Sequence, residues 1–183
     1  MRLRSMLALT LLIGVAPVAA HAQRLELPTR RPGLWELRMV TQQPAGTPDM
    51  TMIMCIDAET DREMMQFGLK ASEGNCSRFD MKRAGGDYVI DAECAFGPLK
   101  TVSKTTISGD FQSSIVVRVE GTMQGVPGGG EGPQPTTMTQ TASWKGATCT
   151  DGLKPGDVNF NGFKINVKQL KKLQNMVPGL QIK

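Results

Sequence analysis

The chain has 183 residues, a length that suits one domain with a sizeable core, alone or with an arm. Its formal net charge at pH 7 is only +4, from 21 Lys and Arg against 17 Asp and Glu. So small a surplus argues against a strongly cationic nucleic-acid-binding protein. A single histidine excludes any metal or catalytic site that needs two.

The first 22 residues have the pattern of a secretory signal peptide. Arg2 and Arg4 give a positive start, residues 6–18 are almost all apolar, and Ala20-His21-Ala22 fits the small-x-small cleavage rule. We therefore predict cleavage before Gln23 and a periplasmic location. The apolar run is too short to span a bilayer, so no transmembrane span is expected once the signal is removed. Removing 22 residues from 183 leaves 161 and also removes the histidine.

Charge is uneven along the rest of the chain. Residues 23–149 hold 13 basic and 15 acidic residues, whereas residues 150–183 hold six Lys against Asp151 and Asp157. The sequence therefore predicts a signal peptide at 1–22, a near-neutral β domain at 23–149 and a basic C-terminal arm at 150–183.

Alternating apolar and polar residues, the period of a strand with one buried face, dominate the middle of the chain. The run Trp35-Glu36-Leu37-Arg38-Met39 is typical, and similar runs begin near residues 50, 79, 88, 115 and 137. Gly85-Gly86-Asp87 and Ser108-Gly109-Asp110 are typical hairpin turns. We therefore predict a mainly β fold, an antiparallel meander of about seven strands that forms a curved sheet or a small barrel.

One helix interrupts the strands. Asp57 can cap a helix that begins at Ala58-Glu59, and we predict that it ends near Phe67, before Gly68. Its early acidic residues could be general acids, but a solvated first turn explains them more simply. These residues are Glu59, Asp61 and Glu63. Residues 126–135, with four Gly and three Pro, are interpreted as a long loop between two strands.

Four cysteines, Cys55, Cys76, Cys94 and Cys149, follow the predicted signal peptide. An even number in an exported chain favours two disulfides, and neither C-x-x-C spacing nor a histidine is present to suggest zinc. Three pairings are possible. We favour Cys55–Cys76 with Cys94–Cys149, because each bond would close a plausible strand-to-strand loop.

The motif Arg31-Pro32-Gly33-Leu34-Trp35-Glu36-Leu37, followed by Cys55-Ile56-Asp57, Asn75-Cys76 and Cys149, resembles a family of exported proteobacterial proteins, the domain-of-unknown-function family numbered 3617. The resemblance covers roughly residues 31–149. Members usually have Thr or Ser and then Pro where Asp57 and Ala58 stand here. The resemblance implies a small periplasmic β domain, and it brings no established activity or catalytic residues.

Aromatic residues suggest a second, weaker likeness. Gly33-x-Trp35 looks like the opening of lipocalin-type barrels, in which the tryptophan plugs one end of a barrel that holds an apolar ligand. A tryptophan packed in an ordinary core explains Trp35 equally well. Trp35, Tyr88 and Trp144 are therefore candidates for ligand contact or for the core.

The sequence offers few arrangements of residues that could act in catalysis. Without histidine no usual triad can form, Ser103 and Lys104 point to opposite faces of a strand, and Asp91 and Glu93 fall on a polar face. We therefore predict a protein that is not an enzyme, needs no cofactor, and binds an apolar small molecule or a component of the cell envelope.

Two other functions stay open. Met50, Met52 and Met54 place three thioethers on one strand face, which could bind Cu(I) but is also typical of a loosely packed core.

The arm contains an amphipathic helix that Asn166 can cap. Its apolar face is formed by Val167, Leu170, Leu173 and Val177, and its basic face by Lys168, Lys171 and Lys172. This helix can pack on the body, on a partner in an assembly, or on an anionic membrane surface.

Overall fold

The computed structural model describes residues 25–126, 130 and 132–169. The predicted signal peptide at 1–22 and the end of the basic arm, including Lys171 and Lys172, lie outside the described residues. Within this part of the chain the structure has one long helix and nine strands. They are, in chain order, β1 (Gly33–Gln43), β2 (Met50–Ile56), α1 (Ala58–Asn75), β3 (Cys76–Ala84), β4 (Asp87–Phe96), β5 (Leu99–Gly109), β6 (Ser114–Gln124), β7 (Gln134–Gly146), β8 (Asp157–Phe160) and β9 (Phe163–Asn166).

All nine strands form one antiparallel sheet in the order β3-β4-β5-β6-β7-β1-β2-β8-β9. The predicted mainly β fold and curved sheet are confirmed, with more strands than expected. The sheet does not close, because β3 and β9 are two separate edges, so the small barrel is not formed. Strands β8 and β9 come from the segment that the charge pattern assigned to the arm, and β8 pairs directly with β2.

One face of the sheet, here called the inner face, forms the hydrophobic core. Period-two alternation brings its side chains into rows across the strands, since Trp35 of β1 lies opposite both Met54 of β2 and Trp144 of β7. The core side chains of the strands are Trp35, Leu37, Met54, Ile56, Tyr88, Ile107, Ile115 and Ala142. Helix α1 and the N-terminal segment, residues 25–32, pack on this face through Met64, Leu25 and Leu27.

The opposite, outer face is polar and carries ion pairs between neighbouring strands. Lys82 Nζ lies 3.2 Å from Asp91 Oδ2, and Arg78 Nη1 lies 3.8 Å from Glu93 Oε1. Asp91 and Glu93 thus lie on the polar face, as the alternation predicts.

The favoured disulfide pairing is wrong. The bonds are Cys55–Cys149 and Cys76–Cys94. Cys76 and Cys94 are direct neighbours across β3 and β4. Strand β1 lies between β2 and β7 and so brings the ends of these two strands together, which places Cys149 beside Cys55. With sequence separations of 94 and 18 residues, chain entropy gives the two bonds about 5 and about 3 kcal/mol of stabilisation.

Helix α1 also differs from the prediction, because it continues through Gly68 to Asn75. A glycine inside a helix costs only about 1 kcal/mol relative to alanine. The sheet-facing positions continue beyond it, since Leu69 lies one turn after Met65, and this packing sustains the helix. The prediction ended the helix at Gly68 because the packing of Leu69 against the sheet is not visible in the local sequence.

The motif around Gly33 has a structural explanation. The Arg31 carbonyl accepts a hydrogen bond from Trp35 Nε1 at 2.8 Å, and the Pro32 carbonyl accepts one from Trp144 Nε1 at 3.0 Å. The Arg31 guanidinium also stacks 3.8 Å from the centre of the Trp144 ring. Gly33 has φ +129°, and a Cβ there would overlap the Gly146 carbonyl oxygen.

Replacing Gly33 by alanine is therefore expected to destabilise the protein by about 2 kcal/mol or more, because the side chain meets both backbone strain and a steric clash. The control is Gly86→Ala, where no atom lies within 4 Å of the added Cβ. Urea unfolding followed by tryptophan fluorescence measures both variants. Equal stability of the two variants would contradict this explanation of the motif.

The turn between β5 and β6 is stabilised by the carboxylate of Asp110. Asp110 Oδ1 accepts hydrogen bonds from the backbone N–H groups of Gln112, Ser113 and Ser114, and Oδ2 accepts one from the Ser113 hydroxyl at 2.6 Å. The Ser113 hydroxyl and then these backbone donors hold the pKa of Asp110 well below its ordinary value. The turn places Phe111 in the core at φ 60°, edge-on to Tyr88.

The Asp110→Asn variant is expected to lose stability in a pH-dependent way. A depressed folded-state pKa contributes stability that is fully present above the unfolded value of about 3.9 and is lost as the pH falls through the folded-state pKa. The difference in unfolding free energy between wild type and variant should therefore be largest above about pH 4 and shrink towards pH 2. Urea titrations across this range measure it, with Glu120→Gln on the outer face as the control. A difference that is constant with pH would refute the assignment.

Candidate functional site

Helix α1 begins with a complete capping box. The Asp57 side chain accepts a hydrogen bond from the Thr60 N–H at 2.8 Å, and the Asp57 N–H donates to Thr60 Oγ1 at 3.0 Å. The backbone hydrogen bond from Thr60 is the main cause that lowers the pKa of Asp57. The predicted cap is confirmed, and it fixes the residue at which α1 begins after β2.

The first turn of α1 is solvated only in part. The Glu59 side chain is 65% exposed, as predicted, but the prediction is wrong for Asp61. Asp61 is fully buried, with 0% of its side chain exposed. Its Oδ2 accepts a hydrogen bond from the Arg30 backbone N–H, and its Oδ1 accepts one from Arg30 Nε, both at 2.7 Å. The pair ties the N-terminal segment to α1, and Arg30 Nη1 also lies 3.1 Å from Met54 Sδ on β2.

The other end of α1 is tied to the sheet through the chain itself. Cys76 follows the last helical residue, donates its backbone N–H to the Ser72 carbonyl, and is bonded to Cys94 on β4. The helix is therefore fixed at both ends, and its middle lies over the inner face of β3 and β4.

Beneath this middle part lies a cavity of about 260 Å³, here called cavity 1. The lining of cavity 1 is supplied by α1, by β3 and β4, and by the N-terminal segment. The lining residues are Glu26, Leu27, Arg62, Met64, Met65, Gln66, Leu69, Phe79, Met81 and Ile90. The three polar residues, Glu26, Arg62 and Gln66, are solvent-exposed and form its rim, whereas the remaining side chains are apolar.

A second cavity of about 160 Å³, cavity 2, lies between the N-terminal segment and β1, β5, β6 and β7. It shares Leu27 and Met65 with cavity 1, so the two adjoin beneath the same covering elements. The side chains of cavity 2 are mainly apolar, with Arg30 and Gln140 as its polar members. Together the cavities provide one adjoining space with mainly apolar walls.

The aromatic candidates lie in the core instead. Trp35 is fully buried, Tyr88 packs against Phe111, and Trp144 is half-buried beneath Arg31. None of the three lines cavity 1 or cavity 2. Sequence reasoning missed the cavity residues because ending the helix before Gly68 left out Leu69. The signal that could have found them is the helical spacing of Asp61, Met65 and Leu69 across that glycine.

The three methionines of the Cu(I) hypothesis lie on the inner face of β2. Met54 is buried in the core with its sulfur against Arg30, Met52 packs against the core, and Met50 lies opposite Met39 of β1. The geometry therefore assigns Met54 a packing role. Within the described residues no group of three or more His, Cys, Asp or Glu side chains could hold a metal ion.

The start of the basic arm docks on the body. Val167 is buried, and Lys168 Nζ lies 3.1 Å from Glu59 Oε2, a contact that raises the pKa of Lys168. Asn166 Oδ1 accepts a hydrogen bond from the Lys168 N–H, as expected of a cap, while its amide donates to the buried Asp157. Lys171 and Lys172 lie outside the described residues. In the part of the chain that the structure covers, no helix is both long and apolar enough to cross a membrane.

Comparison with known protein families gives a match. The profile of a family described as "Protein of unknown function (DUF3617)" matches residues 30–149, which is more than half of the chain. No curated protein and no solved structure matches. The match begins at Arg30, the residue that pairs with Asp61, and ends at Cys149, which closes the longer disulfide loop.

Breaking the Arg30–Asp61 pair is expected to be strongly destabilising. Asp61→Ala leaves the Arg30 guanidinium, 16% exposed, without its carboxylate, which should cost about 3–5 kcal/mol. The control is Asp49→Ala, which breaks the exposed Arg38–Asp49 pair and should cost at most about 1 kcal/mol. The double variant Arg30→Met/Asp61→Leu should recover part of the loss, because no buried charge is then left alone. Urea unfolding compares all of them, and a small effect of Asp61→Ala would contradict the role of this pair.

Proposed function

We propose that this chain, which belongs to the DUF3617 family of proteins of unknown function, is a periplasmic, non-enzymatic protein that binds an apolar ligand in cavity 1. The observation that carries the proposal is the cavity itself, an apolar space under a helix whose two ends are fixed. Its polar groups are confined to the rim, which is the arrangement of sites that bind apolar molecules.

The size of the cavities limits the ligand. A cavity of about 150 Å³ lined by apolar side chains is large enough to take up benzene. Cavity 1, at about 260 Å³, is larger, and cavity 2 extends the space across Leu27 and Met65. Small-molecule sites begin at about 300 Å³. We therefore expect a ligand that buries one alkyl chain or one aromatic group.

The lining of cavity 1 suits ligands of variable shape. Met64, Met65 and Met81 are three of its side chains, and unbranched thioethers adapt to irregular apolar surfaces better than branched side chains do. Exposed Arg62, Glu26 and Gln66 lie where a polar end of the ligand would meet water. This division supports binding of an amphiphilic molecule by its apolar part.

Export to the periplasm is part of the proposal. Two disulfides with no free cysteine among the described residues are typical of an oxidising compartment. The predicted signal peptide at 1–22 agrees with this location.

Filling cavity 1 is expected to weaken the binding of an apolar probe. In Met65→Trp the larger ring enters the space shared by both cavities, so the affinity for N-phenyl-1-naphthylamine should fall about tenfold or more. The opposite change, Met65→Ala, enlarges the same space and should preserve or increase uptake of the probe. Fluorescence of the directly excited probe measures both affinities.

The matched control is Val102→Trp, which adds the same ring at a side chain that is 54% exposed on the outer face. This variant should bind the probe as the wild type does. Wild-type protein that does not bind the probe, or Met65→Trp that binds it unchanged, would refute the proposed site. Thermal unfolding of each variant verifies that it is folded.

A further inference from the structure

Cavity 1 and cavity 2 together form a space that is long in one direction. The strands beneath them are consecutive in the sheet, with β3 and β4 under cavity 1 and β5, β6, β7 and β1 under cavity 2. From β3 to β1 there are five strand spacings, about 24 Å along the sheet. The two cavities therefore extend across the strands, between the sheet and the elements that cover it.

Two side chains divide this space. Among the described residues only Leu27 of the N-terminal segment and Met65 of α1 line both cavities. Both are half-buried, and the unbranched Met65 side chain can change rotamer without a movement of the backbone. A flexible chain can therefore pass from one cavity to the other, whereas a rigid fused-ring system is confined to one of them. Each cavity alone is smaller than the volume of about 300 Å³ at which small-molecule sites begin.

We propose that the ligand is a single linear alkyl chain with one polar end, and that it crosses from cavity 1 into cavity 2 past Met65. This inference rests on the proposed function and specifies the class of ligand. An apolar cavity of about 150 Å³ takes up benzene, which corresponds to about 25 Å³ for each carbon. On this scale cavity 1, at about 260 Å³, holds about ten carbons, and cavity 2, at about 160 Å³, holds about six. The expected chain therefore has about 16 carbons.

The polar groups of the cavities set the direction of the chain. In cavity 2 the Arg30 guanidinium is already engaged, because its Nε binds Asp61 at 2.7 Å and its Nη1 lies 3.1 Å from Met54 Sδ. Gln140, the other polar residue of cavity 2, is neutral and half-buried, and the buried core side chain Ile107 forms part of the wall. The polar side chains of cavity 1 are all exposed at its rim. The polar end therefore lies at this rim, and the methyl end lies in cavity 2.

The dependence of affinity on chain length tests the proposal. Calorimetric titration of the wild type with alkanoates from octanoate to octadecanoate, each below its critical micelle concentration, should show an affinity that rises by up to about fourfold for each added methylene. The rise should continue beyond the about ten carbons that fill cavity 1 and should end near about 16. Lysophosphatidylethanolamines of matched chain length show whether the chain is taken as a free acid or as part of a phospholipid. A rise of this extent in either series supports the proposal.

A variant that fills cavity 2 alone separates the two parts of the site. Val117 lines cavity 2 and not cavity 1, so Val117→Phe should leave the affinity for decanoate unchanged and weaken that for hexadecanoate about tenfold or more. The matched control is Val116→Phe, which adds the same ring at the preceding residue of β6, on the outer face, and should change neither affinity. Ala142→Leu also fills cavity 2 alone and serves as a second variant. Thermal unfolding verifies that each variant is folded.

Two results would overturn the linear-chain ligand. One is a wild-type affinity that stops rising at about ten carbons in both series, and the other is an equal loss of hexadecanoate binding in Val117→Phe and Val116→Phe. Binding of N-phenyl-1-naphthylamine without binding of any alkyl chain would also overturn it, while the proposed function of cavity 1 would stand. If neither the probe nor any chain binds, the proposed function fails as well. Separate measurement of the probe therefore distinguishes the two failures.

Discussion

The buried pair of Arg30 and Asp61 is the interaction on which the covering layer of this fold depends. A carboxylate with no solvent exposure is stable only when its charge is paired and its oxygens accept hydrogen bonds, and Arg30 supplies both its guanidinium and its backbone N–H. Asp61 also lies in the first turn of α1, where the helix dipole favours a negative charge. One pair of residues therefore fixes the helix and the N-terminal segment to each other.

The residues directly after Arg30 fix the N-terminal segment to the sheet. The carbonyls of Arg31 and Pro32 accept hydrogen bonds from Trp35 and Trp144, which lie opposite each other on β1 and β7. The extended chain then enters β1 at Gly33, where only a residue without Cβ fits against Gly146. The segment that covers the inner face is consequently joined at its C-terminal end to β1, an interior strand of the sheet. The contacts of residues 30–33 set the position of this segment over the cavities.

Much of the fold could be predicted from the sequence because it depends on local pattern. Alternation identified most strands, Gly85-Gly86 marked one turn, and Asp57 marked the start of the helix. The placement of β1 between β7 and β2 could not be predicted, since it depends on a contact between the two ends of the matched region. That contact also decides the disulfides, because Cys55 reaches Cys149 only when β1 joins their strands. Pairing cysteines that are neighbours in sequence gave the wrong answer for this reason.

The candidate site was harder to predict than the fold, and the difference lies in what covers the sheet. In a closed barrel the sheet itself surrounds a ligand, and the alternation of each strand then marks the lining residues. Here the sheet stays open, and α1 with the N-terminal segment closes the space above it, so Met64, Met65 and Leu69 of the helix decide its volume. An apolar space covered in this way, with Met64 and Met65 on one side and Met81 on the other, adapts to apolar surfaces of different shape more readily than one lined by branched side chains.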